Sequence, residues 1–238
     1  MNAKTCPLSL AILAGGLATR LHPITQTIPK ALVPVVGEPF LAHQIRLLAR
    51  YGVHDIILCV GHLGNQVEEV FGDGSHFKVR LRYSYDGAQL RGTAGALRQA
   101  LPLLGQSFLV LYGDSYLDID YAAVSKKFMD GNAVALMTVI ENSQGTEPSN
   151  VWFENQRVVA YNKKTPQPEM RYIDYGLSAY QAECLEKYEG NDLSDLQSKL
   201  AEQGLLAGFE VAVPYHEIGS HRGLKALESY FYRQQSRL

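Results

Sequence analysis

The sequence predicts an α/β fold, with a mainly parallel sheet covered by helices on both faces. The first half of the chain alternates continuously apolar segments with amphipathic ones, which is the pattern of repeated β-α-β units. The apolar segments, such as 55–60 and 108–112, lack polar alternation, as expected of strands that are buried on both faces. Hydrophobic residues make up 46% and charged residues 19% of the 238 residues, a balance that excludes a disordered, collagen-like or coiled-coil chain.

The first half is predicted to contain strands and helices in alternation. The strands are expected at 8–13, 55–60, 79–85 and 108–112, and the helices at 39–51, 65–71 and 93–101. The first helix is expected to end near Gly52, because glycine is the natural residue after the last turn of a helix.

The second half is less regular. Strands are predicted at 133–140, 157–162 and 172–180, helices at 193–203 and 224–234, and loops at 142–150 and 163–168. Because no internal repeat or composition break marks a boundary, a single domain over 1–238 is expected.

Composition excludes further classes of protein. The 22 basic and 24 acidic residues give a net charge of −2, so a protein that binds nucleic acid through its charge is not expected. Cys6, Cys59 and Cys184 lie far apart, which argues against a disulfide framework and against structural zinc. No segment approaches the roughly 20 apolar residues that span a bilayer. The apolar run 8–14 leads into a glycine-rich loop and is interpreted as a buried strand rather than a signal peptide, so a cytoplasmic protein is expected.

The loop after the first strand is the first candidate for ligand binding, because ligands of open α/β sheets lie at the carboxyl ends of the strands. Gly15 and Gly16 allow close approach of the main chain, and successive N–H groups can bind phosphate oxygens. Arg20 adds a forked cation suited to phosphate, and Lys30 follows a proline that stiffens its loop. The dinucleotide-binding and phosphate-loop patterns are both missing, which argues against a nicotinamide-dependent oxidoreductase.

The spacing of this segment is more specific than its composition. It reads Leu13-Ala14-Gly15-Gly16-x-x-Thr19-Arg20-Leu21-x-Pro23-x-Thr25-x-x-x-Pro29-Lys30, and it resembles the opening motif of the sugar-1-phosphate nucleotidyltransferases. Further segments stand in the order of that family, namely 92–97, Gly113-Asp114, Lys163, 172–176 and 217–220. The segment 113–118 looks most like the heptose 1-phosphate guanylyltransferases, with the muramic acid 1-phosphate uridylyltransferases close behind.

The resemblance implies a fold and an activity. The fold is a Rossmann-like sheet of nucleotidyltransferase type with a small substrate-side β elaboration, divided into a nucleotide-binding half, about 1–118, and a sugar-phosphate-binding half, about 119–238. The family joins a nucleoside triphosphate to a sugar 1-phosphate and releases pyrophosphate. The expected partners are therefore these small molecules with Mg²⁺, and neither a nucleic acid nor a membrane.

The resemblance also assigns roles to residues. Arg20 and Lys30 would act on the triphosphate, and Asp114 would be catalytic as a ligand of Mg²⁺. Glu217 stands where many relatives have Asp as a second metal ligand. Its longer side chain leaves direct ligation, a water-mediated contact and a structural role open. Nucleotide contacts are expected from Leu13, Ala14, Gly15, Gly16, Asp86, Gln89, Gly92 and Thr93, and sugar-phosphate contacts from Lys163, Asp174, Tyr175 and Gly176.

Two of these role assignments leave alternatives open, and one further position departs from the residue that is commonest in the family. Lys163 is preferred to Lys164 as the cation for the sugar phosphate, and Tyr175 could equally be a core aromatic residue. Ala18 stands where glycine is commonest, so at a positive φ it would cost roughly 1 kcal/mol while keeping its N–H group.

The choice of base is expected to depend on the loop 86–91. The carboxylate of Asp86 would suit guanine, which presents two adjacent N–H donors, whereas the amide of Gln89 would suit uracil or thymine. The subfamily likeness favours GTP, with a heptose or hexose as the sugar. The alternatives are a uridylyl- or thymidylyltransferase and a catalytically silent nucleotide-sugar-binding regulator.

Overall fold

The computed structural model describes residues 5–143, 145 and 148–235. Its strands are β1 (Ser9–Leu13), β2 (Pro34–Val35), β3 (Glu38–Pro39), β4 (Asp55–Val60), β5 (Arg80–Tyr85), β6 (Ser107–Tyr112), β7 (Ser115–Tyr116), β8 (Ala135–Glu141), β9 (Val151–Glu154), β10 (Arg157–Tyr161), β11 (Tyr172–Gln181), β12 (Leu206–Val211) and β13 (His216–Glu217). Its α-helices are α1 (Phe40–Arg50), α2 (Gly64–Phe71), α3 (Gly92–Leu104), α4 (Tyr121–Met129), α5 (Ala182–Glu186), α6 (Leu193–Glu202) and α7 (His221–Gln235). The predicted α/β fold is confirmed.

Nine of the strands form one sheet in the order β5-β4-β1-β6-β11-β8-β12-β10-β9. The four strands of the first half, β5, β4, β1 and β6, are parallel to one another, as predicted. In the second half, β11 is antiparallel to β6 and β8, and β10 is antiparallel to β9 and β12. The sheet is therefore mixed. The short connection between β9 and β10 favours this arrangement, because a parallel pair needs a long crossover.

Helices cover both faces of the sheet. Side chains alternate across a strand, so Leu10 and Ile12 of β1 enter one core, while Ala11 between them enters the other. The first core also receives apolar residues from α1, α2 and α4, and the second receives them from α3 and α6. Both cores are built from the apolar faces of these amphipathic helices.

A third, smaller core lies beside the carboxyl ends of the central strands. It joins the segment after β1 to α1, β7 and α7 through Leu21, Phe40, Tyr116, Ile218 and Leu227. The short strands β7 and β13 pair within this region. This region brings residues 114–116 and 216–218, about a hundred positions apart in sequence, side by side.

No helix among the described residues is long and apolar enough to cross a bilayer.

Candidate active site

A cavity of about 240 Å³ opens at the carboxyl ends of β1 and β6. Seven of the eight residues predicted to contact nucleotide line it, together with two of the residues predicted to be catalytic, Lys30 and Asp114. These seven are Leu13, Ala14, Gly15, Gly16, Asp86, Gly92 and Thr93. Gln89 does not line this cavity; it is exposed in a neighbouring polar depression with Arg91 and Arg98.

Two glycines let the main chain close around this cavity. The Gly113 N–H donates to Leu13 O at 3.1 Å, and a Cβ on Gly113 would lie only 2.4 Å from that oxygen. A Cβ on Gly15 would lie 3.2 Å from Asp86 Oδ2. The glycine at 113 therefore lets β1 and β6 approach closely where Asp114 leaves the sheet, and the glycine at 15 brings the glycine-rich loop close to Asp86.

Asp86 is the buried polar group of this cavity. Its side chain is 6% exposed, and burial raises the pKa of its carboxyl. The loop that carries it is closed by Arg91, whose Nε donates to Asp86 O at 2.8 Å. The carboxylate of Asp86 lines the cavity and offers acceptor oxygens that suit a ligand with adjacent N–H donors.

The glycine-rich loop contains a residue in the left-handed conformation. Ala18 has a φ of 49°, so the condition under which the sequence predicts a cost of roughly 1 kcal/mol is met. Its carbonyl accepts from Leu21 N–H at 3.0 Å and from Thr25 Oγ1 at 2.8 Å, and these contacts hold the strained residue in place. The 3₁₀ turn Thr19–Leu21 that follows leaves Arg20 exposed.

Lys30 and Asp114 form an ion pair at the cavity. Lys30 Nζ lies 2.9 Å from Asp114 Oδ2, with 20% and 27% of the two side chains exposed. Lys30 is the first residue of a 3₁₀ turn, and Pro29 directly before it has an extended conformation. The pair places one cation and one carboxylate side by side in the lining of the cavity.

Glu217 is brought to Asp114 by the pairing of β7 with β13. Glu217 is opposite Ser115, and Ile218 N–H donates to Asp114 O at 2.9 Å. A Cβ on Gly219 would lie 2.8 Å from Glu217 Oε2, 3.1 Å from Asp114 Oδ2 and 3.1 Å from Arg20 Nη2. The two carboxylates and the guanidinium thus converge on the space that Gly219 leaves free.

This arrangement fits a divalent cation. Carboxylate oxygens are the ligands that Mg²⁺ prefers, and it is usually held by one or two of them together with water and substrate phosphates. Oδ2 of Asp114 and Oε2 of Glu217 are two such oxygens facing one space. Within the part of the chain that the structure describes, no group of three or more His, Cys, Asp or Glu side chains gathers as a metal site.

Two of the residues predicted to bind sugar phosphate, Lys163 and Asp174, lie next to this cavity. Lys163 Nζ is 5.1 Å from the ring centre of Tyr112, which lines the cavity, and 3.5 Å from Asp174 Oδ2. Asp174, with only 4% of its side chain exposed, also accepts from Tyr161 Oη at 2.9 Å. Of the two lysines that the sequence leaves open, Lys163 is the one with these contacts, while the Lys164 N–H donates to Asn162 Oδ1. Asp174 therefore contacts Lys163, and Lys163 in turn lies against Tyr112 of the cavity lining.

Gly176 and Tyr175 have different positions. Gly176 has a φ of 102°, and a Cβ there would lie 3.1 Å from Ser115 Oγ and 3.7 Å from the Tyr112 ring, so its main chain faces the end of β6. Tyr175 is 1% exposed and packs edge-on against Tyr215 in the hydrophobic core. The structure therefore places Tyr175 in the core, the alternative that the sequence leaves open, because successive residues of a strand point to opposite faces.

The family of the chain follows from comparison with known proteins. The sequence profile of the family described as nucleotidyl transferase matches residues 10–206. The chain belongs to this family. Its curated relatives are named as sugar-1-phosphate nucleotidyltransferases of uridylyl, guanylyl and thymidylyl type.

Three relatives show the range of this likeness. The N-acetylmuramate alpha-1-phosphate uridylyltransferase of Neisseria meningitidis is 43% identical over 47% of this chain and 49% of its own length. The D-glycero-alpha-D-manno-heptose 1-phosphate guanylyltransferase of Campylobacter jejuni is 36% identical over 46% and 48%. The UTP–glucose-1-phosphate uridylyltransferase of a Synechocystis species is 29% identical over 82% and 55%. The chain spans about half the length of the curated relatives that it matches.

Solved structures show the same fold. HddC from Yersinia pseudotuberculosis, complexed with GMP-PN, has a TM-score of 0.78 and 23% identity, over 94% of this chain and 99% of its own. A UDP-glucose pyrophosphorylase complexed with UDP-glucose has a TM-score of 0.78 and 16% identity, over 95% and 99%.

The site also includes residues that sequence reasoning missed. Tyr112 is the clearest, because it stands directly before Gly113-Asp114 at the end of a buried strand and could have been found from that position. Ser220 Oγ donates to Glu217 Oε1 at 2.7 Å, and Gly223 packs against the same carboxylate. Ser220 lies in the segment 217–220 that the sequence singles out, but its contact with Glu217 and the role of Gly223 depend on how α7 meets β13.

Proposed function

We propose that the chain transfers a nucleoside monophosphate from a nucleoside triphosphate, by preference GTP, to a sugar 1-phosphate, a heptose or a hexose. The products are a nucleotide sugar and pyrophosphate. The observation that carries the proposal is the convergence of Arg20, Lys30 and Glu217 on Asp114, which lines the cavity. Lys163 lies against Tyr112, another residue of the cavity lining. The activities named for the curated relatives support the same chemistry.

The reaction requires alignment and charge neutralisation. An oxygen of the sugar phosphate attacks the α-phosphorus, the new O–P bond forms, and the bond to the β-phosphate oxygen breaks with its electrons leaving on pyrophosphate. The attacking monoester is largely dianionic near neutral pH, because its second pKa is about 6. No protein base is therefore needed, and catalysis rests on bringing two polyanions together in line.

The described residues supply these functions. Lys30 and Arg20 would neutralise the triphosphate and stabilise the departing pyrophosphate. Asp114 and Glu217 would hold Mg²⁺, which would neutralise phosphate charge when bound. Lys163, oriented by Asp174 and the Tyr112 ring, would bind the sugar phosphate on the other side of the α-phosphate. Backbone N–H groups of the glycine-rich loop would hold the nucleotide phosphates.

The preference for GTP rests on Asp86. Asp86 lines the cavity and Gln89 does not, so the side chain that meets the base would be an acceptor for the N1–H and N2–H groups of guanine. Uridylyl transfer is the second candidate, because the Neisseria meningitidis uridylyltransferase is 43% identical over 113 residues. Thymidylyl transfer is a further alternative within the same chemistry.

The setting of this reaction is proposed with it. A single domain would act in the cytoplasm on small molecules alone, with Mg²⁺, and its product would be a precursor of a cell-surface polysaccharide. The rival from another class is a silent binder of nucleotide sugars. The set of three cations and two carboxylates favours an enzyme, because a binder does not need every charge that neutralises a transition state.

The experiment is a pyrophosphate-release assay that combines GTP, UTP, dTTP and ATP with heptose, mannose, glucose and N-acetylmuramic acid 1-phosphates. Release should require both substrates and should be fastest with GTP. Asp114→Asn should lower kcat by about 100- to 1,000-fold without changing the unfolding temperature. Asp130→Asn, which alters an exposed ion pair with Lys126, is the matched control and should behave as wild type. Binding of nucleotide sugars without turnover for any pair would support the silent binder instead.

A further inference from the structure

The two carboxylate oxygens of Glu217 have different surroundings. Oε2 faces the space beside Gly219, where Asp114 Oδ2 and Arg20 Nη2 also point. Oε1 points the other way and accepts from Ser220 Oγ at 2.7 Å. The carboxylate is therefore held at one oxygen and presented at the other.

Gly223 provides the space for this carboxylate. A Cβ on Gly223 would lie 2.0 Å from Glu217 Oε1 and 2.5 Å from its Cδ, so any other side chain would displace the carboxylate. The backbone of Gly223 does not itself require glycine, because it is not among the glycines with positive φ. The glycine at this position is explained by the side chain of Glu217 and its carbonyl oxygen, which a Cβ would approach to 2.4 Å.

Ser220 links the carboxylate to the beginning of α7. The Gly223 N–H donates to Ser220 Oγ at 3.0 Å, so an oxygen lone pair is occupied and the hydroxyl proton is directed to Glu217 Oε1. Ser220 is the residue before the helix and satisfies one of its free N–H groups, as an N-cap does. One hydroxyl therefore both caps α7 and orients Glu217.

We propose that Ser220 and Gly223 are positioning residues that seat the long carboxylate of Glu217, so that its Oε2 is presented with Asp114 to the divalent cation. Ser220 and Gly223 together form what we call the seat of the Glu217 carboxylate. Glu has one more methylene than Asp, and the seat accommodates this longer side chain, whereas the carboxylate of an Asp would be too short to reach Ser220. The inference rests on the proposed function for the identity of the cation, but it concerns the geometry of this chain's own residues.

The test measures Mn²⁺ binding to the free full-length protein, by the loss of the free Mn²⁺ signal in electron paramagnetic resonance. Ser220→Ala should raise the Kd for Mn²⁺ by about 10-fold, the usual effect of removing a group that orients a metal ligand. Ser220→Thr keeps the hydroxyl and should retain the wild-type Kd. Ser220→Gly separates the orientation of Glu217 from the capping of α7, because glycine is nearly as good an N-cap as serine but has no hydroxyl to donate to Glu217. Its Kd for Mn²⁺ should therefore match that of Ser220→Ala.

A second background makes the test specific for Glu217. In Glu217→Asp, the shorter carboxylate no longer reaches Ser220, so adding Ser220→Ala should change the Kd by less than about twofold. Three results would overturn the inference. The first is a wild-type Kd for Mn²⁺ in both Ser220→Ala and Ser220→Gly. The others are an equal rise in Kd when Ser220→Ala is added to Glu217→Asp, and no saturable Mn²⁺ binding by the wild type. Turnover is measured separately, so an Mn²⁺ effect without pyrophosphate release would refute the proposed function and leave the seat intact.

Discussion

Replacing Lys30 by Met should tighten the binding of Mn²⁺ to the free protein and nearly abolish turnover. In the free protein, Lys30 Nζ occupies Asp114 Oδ2 at 2.9 Å, so a cation arriving alone must displace the ammonium group. A cation arriving with a triphosphate meets no such obstacle, because the phosphates take over the lysine. Lys30 would thus make the metal bind together with the nucleotide.

The magnitude follows from the exposure of the pair. With 20% and 27% of the side chains exposed, the pair lies between a surface ion pair and a buried one. Its net contribution is therefore about 1 kcal/mol, the upper end for surface pairs, which corresponds to about fivefold in Kd. Loss of a cation that stabilises the departing pyrophosphate should lower kcat by about 100- to 1,000-fold.

The assay combines an Mn²⁺ titration with pyrophosphate release on the same preparations. Lys187→Met is the matched control, because it removes a lysine from an exposed ion pair with Glu183 in another part of the molecule. The control should change neither quantity. An unchanged or weaker Mn²⁺ affinity in Lys30→Met would refute the competition, and normal turnover would remove Lys30 from the active site.

Three further predictions concern the base, the fold and the sugar phosphate. Asp86→Asn should lower the ratio of kcat/KM for GTP to that for UTP by about 10- to 100-fold, because a guanine N–H loses its acceptor; an unchanged ratio would exclude Asp86 from base recognition. Gly113→Ala should lower the unfolding temperature, because its Cβ would lie 2.4 Å from a carbonyl oxygen at the end of β1, whereas Gly16→Ala meets nothing within 4 Å and should leave it unchanged. Equal unfolding temperatures for Gly113→Ala and Gly16→Ala would contradict the claim that a side chain at 113 collides with the end of β1. Lys163→Met should raise the KM for the sugar phosphate with little effect on that for GTP, and Lys164→Met should not; the reverse result would exchange their roles.

The sequence predicted β1, β4 and β6 because these strands are buried on both faces and read as apolar runs, and it predicted the edge strand β5 from its alternation. The strands β9 and β12 of the second half were not predicted. β9 is only partly buried, and β12 contains Gly208, which disfavours a strand. A Cβ on Gly208 would lie 2.3 Å from the Phe153 ring, so this glycine is required by a contact between strands that no local pattern reveals.

The helix α4 is a different case. Asp120 Oδ1 accepts from Ala123 N–H at 3.0 Å and caps the helix. Because Asp is a preferred N-cap residue, the sequence did contain a local indication that a helix begins there. The prediction of this region lacked the helix because its apolar face is short, with Tyr121, Val124 and Phe128 as the buried apolar residues.

Candidate residues could be named from the sequence where one loop resembles the motif of a known family, as for Arg20 and Lys30. The site was not predictable where the direction of a side chain decides. Asp86 and Gln89 stand three residues apart in one loop, and only the folded chain shows that Asp86 lines the cavity. Tyr175 stands next to Gly176 in sequence, yet the alternation of β11 turns its ring into the core.

The central claim concerns which phosphorus is attacked, and isotope labelling tests it most directly. The protein is incubated with Mg²⁺, the preferred sugar 1-phosphate and GTP that is labelled with ³²P either in the α- or in the γ-phosphate. We expect the α label to enter the nucleotide sugar and the γ label to leave in pyrophosphate. Transfer of the γ label to the sugar, or recovery of the α label only as free nucleotide, would contradict it.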